Sequence, residues 1–333
     1  MSDINLQKIK ARIWNSIVRN MRNKNSYFMI YPAYWHQKIC KYSGDDTSAQ
    51  NYFAAIPNRG AGIGHQMANW IAGYWYAGRF GLNFAHIPFS SERWEKLLGF
   101  GDNEVTVDEL IKQHRYKSVS LPLFDENRPE EIALIKKIIR SYSNRKVVFI
   151  AEQDQFYRAQ FGVINKLKEK FYNTESRQLN QLVYDANYFN IAIHIRRGDI
   201  AIEGKSKNPN FQKRWQDNNY FELVLTNVIR NLNTKRPVMI YLFSQGKPED
   251  FAQFKKFENL HFCLDMDPQD SFVHMVYADL LITSKSSFSY KPALLNNGIK
   301  VCPRNFWHDY PETDDWILAD EDGNFDYSKL KVV

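Results

Sequence analysis

The chain has 333 residues, with 44 Lys and Arg against 37 Asp and Glu, a net charge of +7. Hydrophobic residues make up 44% and aromatic residues 15%, enough for a large core, which excludes a disordered or collagen-like chain. Three widely spaced cysteines, Cys40, Cys263 and Cys302, argue against a disulfide framework or a zinc site and fit a reducing compartment. No run approaches the roughly 18 apolar residues of a membrane span, and no apolar h-region follows the basic N-terminus. Cytoplasmic placement is expected. The positive charge favours an anionic partner.

In chain order, Asn5 to Lys24 puts Leu6, Ile9, Ile13, Ile17 and Met21 on one helical face and leaves Lys8, Lys10, Arg12, Arg19 and Arg22 largely off it. Such a helix either packs on the body or lies peripherally on an anionic membrane, here the inner face. Tyr52–Ile56 predicts a strand. A Gly-rich loop from Pro57 to Gly64 follows, then a helix His65–Arg79 and a strand Leu82–Ile87, a βαβ-type unit. Residues 89–127 give no clear pattern. Lys146–Ala151 predicts a buried strand, Gln155–Tyr172 a helix, and Asn173–Gln181 a polar connection.

From Asn190 the alternation is regular. Strands are expected at 190–195, 238–243, 261–264, 279–283 and 299–302. Helices are expected at 219–231, 248–256, 271–277 and 287–296. This order predicts an α/β fold with parallel sheets and covered faces. The expected organisation is a basic lead-in (1–50), an N-terminal α/β domain (51–180), a C-terminal Rossmann-like nucleotide domain (181–310) and a tail packing back (311–333).

Three clusters carry the chemistry. Ile191 to Asp199 reads as a buried strand that ends in His194, Arg196, Arg197 and Asp199. Ligands of open α/β sheets sit beyond the carboxyl ends of strands, and guanidinium forks fit phosphate oxygens in pairs. The plain alternative is a surface ion-pair cluster. Gly60, Gly62 and Gly64, with His65 and Gln66, let backbone amides approach an anion at a helix start. Their spacing matches neither a dinucleotide fingerprint nor a P-loop, so a tight turn is the simpler reading. Asp279 to Ser289 leads a strand through hydroxyls into a helix near Ser287, either an N-cap or a phosphate cup.

Taken in order, these clusters resemble the GDP-fucose-dependent fucosyltransferase superfamily of α1,2-, α1,6- and protein O-fucosyltransferases. The resemblance rests on His194-Ile195-Arg196-Arg197-Gly198-Asp199, on Gly62-Ile63-Gly64-His65-Gln66-Met67, on Ser286-Ser287-Phe288-Ser289-Tyr290, and on Val301-Cys302-Pro303-Arg304-Asn305-Phe306-Trp307. It implies a GT-B-type fold of two Rossmann-like domains facing a cleft, GDP-L-fucose as donor, a glycan or glycolipid acceptor, inversion, and no metal or other cofactor. It assigns Arg196 to the β-phosphate and His194 and Asp279 to the guanine. The Gly62–Gln66 loop would close over the diphosphate from the other domain, while Ser286 and Ser287, beside Phe288, would bond phosphate. Arg197 would share this contact or brace the loop through Asp199. A Glu shortly after the motif is the proposed base of the α1,6 branch, which points to Glu203, with Asp199 as the alternative.

The chain departs from the family after the strand ending at Phe243. Family members often carry an acidic pair there, whereas this chain has Ser244-Gln245-Gly246, with Glu249 and Asp250 as nearby substitutes. Asp265-Met266-Asp267 resembles a metal-chelating signature but reads as a loop and helix start. Two other readings stand beside the resemblance: a GT-B enzyme for another nucleotide sugar, and a non-catalytic nucleotide- or nucleic-acid-binding protein. The cations are too scattered to favour nucleic acid.

Overall fold

A computed structural model of the chain describes residues 50–151, 157–179, 181–198 and 213–330, with single positions between 13 and 26. Most of the expected N-terminal helix, and both Asp199 and Glu203, lie outside the described residues. The fold is α/β, with two all-parallel sheets in two compact units.

The first unit holds the chain up to Ile56, Ala72–Ile87 and Glu104–Tyr157. Its sheet has the order β2-β1-β4-β3, built from β1 (Tyr52–Ala55), β2 (Asn83–Phe84), β3 (Lys117–Leu121) and β4 (Val147–Ala151). Helix α1 (Ile63–Arg79) connects β1 to β2. Helix α3 (Val107–Lys112) precedes β3, while α2 (Glu92–Leu98), earlier in the chain, belongs to the second unit. Helix α4 (Pro129–Arg140) was not anticipated, yet its signals are strong. Proline stands in its first turn beside Glu130 and Glu131, and Ile132, Ile135, Ile138 and Ile139 repeat at helical spacing on a buried face. The strand expected at 82–87 shrinks to two residues. Past it, only His86 bridges, to Thr106.

The second unit holds Pro57–Ile71, Pro88–Asn103 and Arg158–Val333. The Gly-rich loop therefore belongs to the same unit as the His194–Gly198 segment. Its six strands are β5 (Phe189–His194), β6 (Val238–Ser244), β7 (Leu260–Leu264), β8 (Leu280–Ile282), β9 (Ile299–Pro303) and β10 (Trp316–Ala319), in the order β10-β9-β8-β5-β6-β7. Counted from β5 this is the Rossmann order, with the reversal between β5 and β8. The segment expected as a tail supplies β10, which pairs with β9 from Trp316 against Lys300 to Ala319 against Pro303.

All six residues of β5 are buried, which explains their near-continuous apolar character in a sheet covered on both faces. Ile191 and Ile193, with Ile195 just beyond, pack with Val224 and Val228 of helix α6 (Asn218–Asn231) and Phe254. The alternation of side chains along a strand turns His194 to the other face. Helices α5 (Ile164–Asn173), α7 (Pro268–Tyr277) and α8 (Ser287–Leu295) complete the unit, with a kinked 3₁₀ helix at Pro248–Lys256. The helix expected from Gln155 begins only at Ile164, after Gln160 takes a left-handed φ of 61°. No helix among the described residues is long and apolar enough to cross a membrane.

Candidate active site at the β5–β8 crevice

Strand reversal between β5 and β8 opens a crevice beyond their carboxyl ends, the place where such sheets bind ligands. Two side chains leaving β5 meet two hydroxyls leaving β8. His194 Nδ1 lies 2.9 Å from Ser284 Oγ, and Arg196 Nη1 donates to Ser286 Oγ at 3.2 Å. Ser286 also accepts from Phe288 N, so the N-cap of α8 is the partner of the arginine. Burial, reinforced by the Arg196 and Arg197 charges, pushes the His194 imidazole down to about 3. It is neutral at physiological pH.

The two arginines diverge. Arg197 donates to Arg196 O at 2.7 Å and to Asn218 Oδ1, and its guanidinium lies 4.3 Å from the centre of the Trp215 ring. Burial lowers its pKa to about 10, with Asp217 and Asp250 pulling the other way, so it stays cationic. Its bracing partners are thus Asn218 and the Arg196 carbonyl. Asp199, the expected partner, lies outside the described residues. Arg196, by contrast, lines a cavity of about 800 Å³ together with Gly62, His194, Arg197, Ser286 and Phe288.

The Gly-rich loop reaches this cavity through Gly62 and Ile63. Gly64 follows in the first turn of α1. A Cβ there would stand 2.8 Å from the backbone carbon and oxygen of Ser287, so only glycine lets the starts of α1 and α8 touch. Both helices direct the positive end of their dipoles to these starts. Gln66 lies behind the loop and braces it. Its Nε2 donates to Ala61 O and Ser90 Oγ, and its Oε1 accepts from Ser90 N. His65 is half-buried in the same turn. Ser287 is buried, and its Oγ makes no hydrogen bond among the described residues. Phe288 stands 5.5 Å from the His194 ring and forms part of the cavity wall.

Asp279 is not brought to this group. It precedes β8 at the amino edge of the sheet, where Oδ1 takes Arg236 Nη2 at 2.7 Å and Oδ2 takes Asn190 N at 2.8 Å. A parallel strand separates that edge from the crevice. The carboxylates that line the cavity are Asp265 and Asp267, with Trp94 nearby on the wall. Asp267 N-caps α7 through Gln269 N and pairs with Arg93 at 3.1 Å. Burial would raise its pKa, but these bonds hold it below the usual carboxylate value. Asp265 sits in the left-handed region at φ 52°. The helix-start reading of Asp267 matches its cap, whereas the positions of Asp265 and Trp94 required the tertiary fold.

The fold and crevice define a doubly wound α/β protein whose pocket presents cations, hydroxyls and helix starts. No family model matches the chain, and no curated protein does. Solved structures similar to it include NodZ α-1,6-fucosyltransferase co-crystallised with GDP, at 13% identity, covering 83% of this chain and 96% of that one, with a TM-score of 0.45. POFUT1 in complex with GDP-fucose is 12% identical over 81% of this chain and 98% of that one, TM-score 0.42. Fucosyltransferase NodZ from Bradyrhizobium is 11% identical over 74% and 93%, TM-score 0.41.

Proposed function

We propose that the protein is an inverting, metal-independent glycosyltransferase of GT-B type that moves L-fucose from GDP-fucose to a hydroxyl of a glycan or glycolipid. The observation that carries this reading is Arg196, a cation at the sheet's switch point that shares the N-cap hydroxyl of α8 and faces an open cavity. An acceptor oxygen attacks C1 of the sugar as the C1–O bond to phosphate breaks, its proton passes to a base, and GDP leaves. Negative charge grows on the departing diphosphate. Arg196 and the starts of α1 and α8 are fixed donors that stabilise this charge without reorganisation. His194 contributes a hydrogen bond but no charge. Asp199 or Glu203, by the family resemblance, takes the proton.

The guanine edge offers two N–H donors, which a carboxylate matches and an adenine or uracil edge does not. Asp265 is the candidate, since Asp267 is engaged by Arg93 and Gln269. No cofactor beyond the donor is required. Thermal-shift titration with GDP, UDP, ADP and CMP, followed by donor hydrolysis in EDTA, tests the reading. Stabilisation by GDP and turnover without metal are expected. Stabilisation by UDP alone would transfer the argument to another nucleotide sugar, and strict metal dependence would overturn the mechanism.

A further inference from the structure

A second cavity of about 500 Å³ adjoins the first in the same unit and shares two wall residues with it, Arg197 and Gln245. We infer that it is a subsite for a neutral saccharide, the acceptor of the transfer. The inference rests on reading the first cavity as the donor site.

Its lining combines one aromatic plane with hydroxyl-binding groups: Trp215, Asp217, Gln245, Asp250 and Gln253 beside Arg197. Arg197 covers one face of the Trp215 indole, yet the residue remains 38% exposed. An indole pinned by a half-buried cation is a preorganised platform, and the apolar C–H face of a pyranose stacks on it at little entropic cost. Around it, Asp217 Oδ1 accepts from Asn219 N and Asp250 Oδ2 from Lys247 N, both at 2.8 Å. Each bond uses one of the roughly four lone-pair sites of a carboxylate, so both groups retain capacity for sugar hydroxyls. Asn218 is different. Arg197 takes its oxygen and Asp250 O its amide, which makes it a strut between the walls.

Charge selects the ligand class. Two carboxylates stand against one guanidinium, and both act on that guanidinium electrostatically. The cavity therefore disfavours phosphate, sialic acid and uronic acid, which belong to neither its charge nor its donors. Its place also fits. Gln245 stands on the boundary because Gly198, at φ 72°, lacks a Cβ that would otherwise lie 2.0 Å from its Oε1. Asp250, from the 3₁₀ helix after β6, supplies a carboxylate beside Ser244-Gln245-Gly246, where the family's acidic pair is missing.

The test applies the full chain, saturated with GDP, to an array of neutral and acidic oligosaccharides, with GDP affinity measured separately by calorimetry. Neutral glycans should bind, and Trp215→Ala and Asp250→Asn should each weaken the signal by about tenfold, the scale of one aromatic or hydrogen-bonded contact. Asp217→Asn retains an N-cap acceptor and so preserves folding. It should weaken glycan binding with unchanged GDP affinity. Three results would overturn the subsite: neutral-glycan signals insensitive to all three variants, capture of acidic glycans only, or no capture by a protein that binds GDP. Failure to bind GDP, with glycan signals still lost in the variants, would instead sink the donor reading and leave the subsite standing.

Discussion

The two ends of strands β5 and β8 carry the same kinds of residue in opposite states. At the amino edge, Arg236 meets Asp279, and the carboxylate also takes the Asn190 amide. The cation and anion are spent on each other. At the carboxyl edge, Arg196 meets the hydroxyl of Ser286 and the neighbouring imidazole is held neutral. An arginine bonded to a helix-cap hydroxyl beside a cavity thus stands at one edge, and an arginine in an ion pair at the other.

Arg196→Ala is the strongest way to break this contrast. Turnover of GDP-fucose should fall about 10²- to 10³-fold, the usual loss of one transition-state donor, measured by steady-state release of GDP. Wild-type turnover would remove the role assigned to the carboxyl edge. The next effect concerns pH. Unfolded histidine takes a proton near its ordinary 6.5, but folded His194 waits until about 3, so this contribution to stability is full above 6.5 and is lost as pH falls through that window. His308, pushed down to about 2 by burial and Lys291, acts in the same direction. Each buried imidazole should contribute a slope of about 1.4 kcal/mol per pH unit. Urea titrations of His194→Asn should show one such slope removed.

Gly64→Ala sharpens the contrast by disturbing only the crevice. The added methyl meets Ser287 backbone at 2.8 Å, which should cost about 1–3 kcal/mol and weaken GDP binding, read by denaturation and calorimetry. Arg236→Ala should do least. Its ion pair is 40% and 28% exposed, so about 0–1 kcal/mol is expected in denaturation, with turnover unchanged. A large loss of turnover there would erase the distinction between the edges.

Much of the second unit was legible in the chain. Short apolar runs alternate with helical periods from residue 190 to 302, and the strands found there differ by only a residue or two from those expected. The misses have specific causes. The Trp316–Ala319 run is short and flanked by Pro311 and Asp315, and its pairing with β9 is what makes it a strand. Helix α4 carries every local signal, with Pro129 and two glutamates in its first turn and four isoleucines at helical spacing. At the site, Arg196, His194, Ser286, Phe288 and Gly62 share one cavity, because strand ends and helix starts can be read locally. Asp279 falls elsewhere for a reason that was already available. A residue opening a parallel strand lies at the amino edge, and the expected strand at 279–283 placed it there. Asp265 and Trp94 come from other elements, and nothing local announces that they meet.

The bond between Arg196 and Ser286 joins residues 90 positions apart. The chain places β6, β7 and α7 between β5 and its partner β8, so that pairing closes a long loop. Until β8 docks, one flank of the buried strand β5 is an open edge able to add a stray strand from another chain. Folding intermediates that lack the β5–β8 pairing should therefore be the aggregation-prone ones, and docking of β8 both closes that edge and assembles the crevice.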